Sequence, residues 1–184
     1  MRRLWLCLAL CACATRPAVT RPQSAVEREL EQAEQAERAR QHDVARTHYE
    51  RAIASAHDPA SIGLARREFA ETLATWGELV AAVGQLERAV AATPADPIAW
   101  QMLGILRAND AIHDLPGAFA ALERSRQLAP RAWIPRRDLA VLHWKLGQRA
   151  EALAEYRAML ELELPARLRE KVTWAIEQLS KPPP

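Results

Sequence analysis

The chain has 184 residues, 49% hydrophobic and 26% charged, which excludes a disordered chain and fits one compact domain or a solenoid. Lys and Arg number 25 against 23 Asp and Glu, without the basic excess that nucleic-acid binding usually demands. The scarcity of glycine, six in all, and of stretches rich in β-branched residues points to helix throughout.

The chain opens on a segment unlike the rest. Met1, Arg2 and Arg3 form a basic start, and Leu4 to Ala12 is an apolar run too short to cross a bilayer. Residues 1–12 read as an export signal. Leu10-Cys11-Ala12-Cys13 resembles a bacterial lipobox, with a large residue at −3, a small one at −1 and then cysteine. That resemblance implies cleavage before Cys13, lipid on its thiol and a membrane anchor. Because Ala14 rather than aspartate follows, it also implies the outer membrane, with the domain facing the periplasm. Two alternatives stand beside it: Ala12-Cys13-Ala14 as an A-x-A site for ordinary secretion, and an unprocessed cytoplasmic start. All three cysteines, Cys7, Cys11 and Cys13, lie in this leader, so a processed chain has no internal disulfide. Loss of Arg2 and Arg3 would leave it neutral. Residues 13–23, with Pro17 and Pro22, read as a tether.

A helical domain is expected over 24–181. Ser24 with Glu27 forms a capping box at its first helix, in which Val26, Leu30 and Ala33 make a thin apolar stripe. Asp58-Pro59 and Asp96-Pro97 pair a capping aspartate with a proline at the first helical position, and Asp114 with Pro116 is a looser version. Gly77 and Gly147 sit where a preceding helix must end. Leu168, Val172, Ala175, Ile176 and Leu179 give a helical apolar stripe, so 166–180 reads as a capping helix. The closing prolines, 182–184, read as a disordered tail.

Small residues recur at Ala45, Ala82, Ala118 and Ala152, about one helix pair apart each time. Trp100, Leu103, Gly104, Ala118 and Pro130 mark one unit, Leu139, Ala140, Leu146, Gly147, Ala152 and Tyr156 another, and Phe69, Ala70, Gly77, Ala82 and Pro94 a third. On these residues the chain resembles the tetratricopeptide repeat family, whose unit is two helices in 34 residues. The resemblance implies an all-α, right-handed α-solenoid of antiparallel helix pairs. Four repeats fall near 26–62, 63–96, 97–132 and 133–166, before the capping helix. The first departs most, with Gln32 in place of a large apolar residue and Arg40 in place of glycine. The third carries two extra residues, placed in the turn within Asn109 to Gly117.

Nothing in the sequence sets out a reaction centre. His42, His48, His57, His113 and His143 include no pair three or four apart, so none shares a helix face as a metal-ligand pair would. Neither a phosphate-binding glycine loop nor a G-x-S-x-G serine occurs. An interaction scaffold with a protein or peptide partner is therefore expected, with no cofactor, nucleic acid or small-molecule substrate. The alternatives are a soluble periplasmic co-chaperone, an enzyme or a carbohydrate-binding module. The family resemblance implies a concave face lined by the first helix of each pair, here carrying Arg67, Glu71, Gln101, Ile105, Asn109, Arg137, Val141, Trp144 and Lys145. Glu71 and Val141 replace the asparagines of the clamps that hold a chaperone's C-terminal carboxylate, which excludes that role. Trp144 has a competing place against the C-terminal helix. Trp76, Trp100, Trp133 and Trp174 are expected in packing rather than sugar stacking. Arg131, Arg136 and Arg137 form a cationic cluster that could dock an acidic segment.

Overall fold

The computed structural model describes residues 24–181. The export signal, the tether with Cys13 and the terminal prolines lie outside the described residues. Among those described, the regular elements are nine helices: α1 (Ala25–Arg38), α2 (His42–Ser55), α3 (Pro59–Thr75), α4 (Leu79–Ala92), α5 (Pro97–Arg107), α6 (Leu115–Leu128), α7 (Trp133–Lys145), α8 (Arg149–Leu160) and α9 (Ala166–Ser180). Short turns fold α1 onto α2, α3 onto α4, α5 onto α6 and α7 onto α8. The second helix of each pair then packs on the next element, through to α8 on α9. This is a solenoid of stacked helix pairs, because no single pair can bury its own apolar face.

Local chemistry sets the helix starts. The Ser24 hydroxyl accepts from the Glu27 backbone at 3.1 Å, and the Glu27 carboxylate accepts from the Ser24 backbone at 2.7 Å. Asp58 accepts from the Ser61 N–H at 3.0 Å, Asp96 from Ile98 and Ala99 at 2.9 and 3.2 Å, and Asp114 from Gly117 at 3.0 Å. Each bond satisfies a donor that the first helical turn leaves free. The second pair consequently opens at Pro59, not near residue 63 where counting by period set the boundary. The aspartate cap and the following proline decide the start, and the repeat length only approximates it.

Three of the four turns within pairs share one geometry. Gly77 and Gly147 take φ of 84° and 72°. The N–H of each glycine and of the next residue bonds back to the preceding helix: Gly77 to Ala74, Glu78 to Leu73, Gly147 to Trp144 and Gln148 to His143, at 2.8–3.1 Å. Arg40 adopts the same left-handed conformation, with φ 57°, and the same two bonds, to Glu37 and Ala36. The first repeat has thus lost the glycine but kept the turn. The third turn is longer, between Arg107 and Leu115. It closes through the Asp114 N–H donating to the Arg107 carbonyl at 2.9 Å, with His113 in the left-handed region.

The core follows the repeat. Ala45, Ala82, Ala118 and Ala152 are all 0% exposed, since each lies where two helices cross and a larger side chain has no room. Gly104 marks a close crossing: a Cβ there would come within 2.6 Å of Leu122 and 3.1 Å of the Ala118 carbonyl. Leu73, Leu86, Leu103, Leu122 and Leu139 are fully buried, each worth about 2 kcal/mol of transfer free energy. One apolar cluster runs from α1 to α6 and a second joins α7, α8 and α9. Ala118, Leu122, Leu139 and Leu142 connect them. In the first repeat Gln32 is exposed, with no helix packed before α1 among the described residues.

Candidate functional site

The odd-numbered helices form one face, and a groove opens between each neighbouring pair of them. The α1/α3 groove is lined by Glu34, Glu37, Glu68 and Glu71, with Tyr49 and Thr72 beneath. The α3/α5 groove shares Glu71 and Thr75 with it and adds Met102, Ile105 and Leu106. The α5/α7 groove, about 400 Å³, takes up Ile105 again and adds Asn109, Arg137, Val141 and Lys145. The α7/α9 groove, about 420 Å³, shares Arg137 and Val141 and adds Trp144, Leu168, Lys171 and Trp174. Because adjacent grooves share wall residues, they make one unbroken trough along the solenoid.

Most of the residues expected on this face meet there. Ile105, Asn109, Arg137, Val141 and Lys145 line a single groove. Ile105 and Val141 are 42% and 40% exposed, so apolar atoms of both line the groove. Gln101, expected on this face, does not line the groove but donates to Asp138, which does, at 2.6 Å. Asp138 also accepts twice from Arg137, at 2.9 and 2.7 Å, and the Arg137 guanidinium lies 5.4 Å over the Trp133 ring. That pairing and stacking hold Arg137 in place before any ligand arrives. Arg67 does not join the groove. It lies close to Glu68 and Asp96, at 3.5 and 3.7 Å, and its Nε is buried without a hydrogen-bond partner.

Trp144 occupies both places proposed for it. Its ring meets Tyr156 edge-on and Trp174 at a tilt, both with centroids 6.2 Å apart, so it packs against α8 and α9 while still walling the trough. Trp174 differs from expectation. It is 57% exposed, and among the described residues no helix stacks beyond α9 to cover it. The sequence offered no way to see that, since exposure depends on what is stacked beyond. The expected cluster of Arg131, Arg136 and Arg137 divides: Arg136 is drawn to Glu155 at 3.0 Å on α8, leaving Arg137 alone on the trough. Lys171 was not anticipated as a site residue. It belongs to α9, which read from sequence only as a cap, yet α9 takes the position of one more first helix.

Electrostatically the two ends differ. At the α1/α3 end, burial pushes the Glu68 carboxyl above its ordinary range, opposed by Arg67 and helped by Glu71 and Glu34. Burial likewise raises the Tyr49 hydroxyl, opposed by its hydrogen bond with Thr72 at 2.9 Å and helped by Glu37, Glu68 and Glu34. At the other end Lys145 and Lys171 make no ion pair among the described residues. Among the same residues no cluster of three or more His, Cys, Asp or Glu is placed to hold a metal ion, and no helix is long and apolar enough to cross a membrane. What the arrangement offers is a long, partly apolar surface with opposite charges at its ends.

Neither a protein-family model nor a curated protein matches the sequence. Solved structures do match in shape. One crystal structure of MamA aligns with a TM-score of 0.64 at 20% identity, over 80% of this chain and 81% of that one. A second MamA structure gives 0.69 at 14%, over 84% and 80%. A thermophilic TPR protein of Thermus thermophilus gives 0.58 at 22%, also over 84% and 80%. The likeness extends across the stacked pairs at low identity, and with the shared turn and crossing geometry it establishes that this chain folds as a solenoid of the tetratricopeptide repeat type.

Proposed function

We propose that the chain is an interaction scaffold that binds a peptide or partner protein along the trough of its odd-numbered helices. The observation that carries this is the continuity of the four grooves, with Ile105 and Val141 held out of the core at their junctions. Apolar anchors ringed by charged and amide groups suit an extended or helical partner. The test is affinity capture with wild type and Ile105→Glu/Val141→Glu. Both positions are exposed, so the variant keeps the fold, which circular dichroism would check. Loss of the captured partner supports the trough as the docking surface, and undiminished capture refutes it.

The same proposal places the scaffold at a bacterial envelope, tethered by lipid on Cys13 and assisting assembly of an envelope complex. The support is sequence alone: the short basic and apolar leader, the Leu10-Cys11-Ala12-Cys13 motif, and Ala14, which favours the outer membrane. A soluble periplasmic co-chaperone is the second reading, favoured by Ala12-Cys13-Ala14. Metabolic labelling with a fatty-acid analogue separates them. Label present in wild type and absent in Cys13→Ser supports the anchor, and equal labelling ends it.

A further inference from the structure

We infer that the α7/α9 end of the trough is built for an acidic segment carrying a large apolar side chain. This rests on the trough being a binding surface and adds the chemistry of what occupies one end of it. Three observations carry it. The α7/α9 pocket is walled by apolar atoms of Val141, Trp144, Leu168 and Trp174 and is large enough for a leucine or phenylalanine side chain. Its wall includes Arg137, paired with Asp138, and Lys171, and Lys145 lines the adjoining α5/α7 groove; both lysines are unpaired among the described residues. Trp174, at 57% exposed, keeps an aromatic face in solvent that a seated ligand would cover.

Charge complementarity selects the occupant. An apolar group entering beside Lys171, with Lys145 in the adjoining groove, gains most when its neighbours are carboxylates, whereas a basic neighbour is repelled by both unpaired ammonium groups. The opposite end repeats the logic with reversed sign. Glu71 and Glu37 face the trough without an ion pair among the described residues. A partner running the length of the trough therefore places its acidic portion over α9 and has one favoured direction. The recognised charge belongs to side chains within the segment, since Lys145 and Lys171 line two adjoining grooves and do not share one.

The experiment uses three fluorescein-labelled, C-terminally amidated nonapeptides with one leucine–phenylalanine core, flanked by glutamate, glutamine or lysine. Binding is read by anisotropy at low and physiological ionic strength. The acidic peptide is expected to bind at least tenfold tighter than the lysine peptide, with the gap narrowing in salt. Lys145→Glu/Lys171→Glu is expected to invert the order. Trp174→Ala is expected to weaken the acidic peptide severalfold without lowering Tm, because the removed side chain is mostly exposed. Equal affinity for the acidic and basic peptides overturns the inference, as does an order unchanged by the double charge reversal. So does a dimer lost on Trp174→Ala, which would make a second copy of the chain the occupant. Peptide binding abolished by Ile105→Glu but indifferent to charge reversal sinks this inference and spares the trough. Binding indifferent to every trough variant sinks both.

Discussion

Single residues in this chain are fixed by what the backbone and the helix crossings demand. Arg40 shows the difference between the two. Its φ of 57° and its paired backbone bonds match those at Gly77 and Gly147, so the turn was preserved while the residue best suited to it was lost. A side chain in the left-handed region costs roughly 1–2 kcal/mol, whereas introducing glycine costs roughly 0.4–1 kcal/mol through the unfolded chain. Arg40→Gly should therefore stabilise the protein, by about 0.5–1 kcal/mol, read as a higher urea midpoint at unchanged slope. Gly147→Ala should destabilise by a similar amount. A lower midpoint for Arg40→Gly would show that the arginine side chain contributes more than its backbone strain costs.

Between elements, the seam joining the third and fourth helix pairs combines apolar and ionic contacts. Leu122 and Leu139 meet there without exposure. Beside them Glu155 of α8 accepts from Arg126 of α6 at 3.1 Å and Arg136 of α7 at 3.0 Å, with its side chain 13% exposed. A carboxylate so placed ties three helices at once, and removing it leaves two guanidinium groups close together without their shared partner. Glu155→Ala should cost about 2 kcal/mol, measured by thermal or urea unfolding. A loss under about 0.5 kcal/mol would put the bridge in the class of exposed ion pairs, which contribute little. The same pull on Arg136 explains why a sequence cluster of three arginines becomes one arginine on the trough: adjacent positions on a helix point in different directions, and only the fold says which direction holds a carboxylate.

At the level of the whole molecule, α9 has two duties. Val172, Ala175 and Leu179 cover Ala152, Tyr156 and Met159. Arg149 locks its far end by donating to the carbonyls of Leu179 and Lys181, while Arg169 donates to those of Leu160 and Leu162 at the end of α8. In a stack where each pair touches only its neighbours, losses stay local. Truncation after Pro165 should therefore lower amide hydrogen-exchange protection in α7 and α8 and leave α3 and α4 nearly unchanged. Equal loss throughout would mean that the array opens as one unit. Truncation also removes one wall of the last groove, so helix cover and candidate site cannot be separated at this end.

The helical class, the paired units and most helix starts were legible in the sequence, because caps, prolines, left-handed turns and close crossings are local demands that particular residues meet. The sequence also marked Ile105, Arg137, Val141 and Lys145 for one face, since a repeat places equivalent positions side by side. Tertiary structure alone decided that Arg67 turns toward Glu68 and Asp96, that Arg136 is held by Glu155, that Trp174 stays in solvent, and that α9 both caps the stack and extends its trough. Each of those depends on a neighbour distant in sequence, or on the lack of one among the described residues. A periodic pattern cannot encode that, because it repeats the same instruction at the middle of a solenoid and at its end.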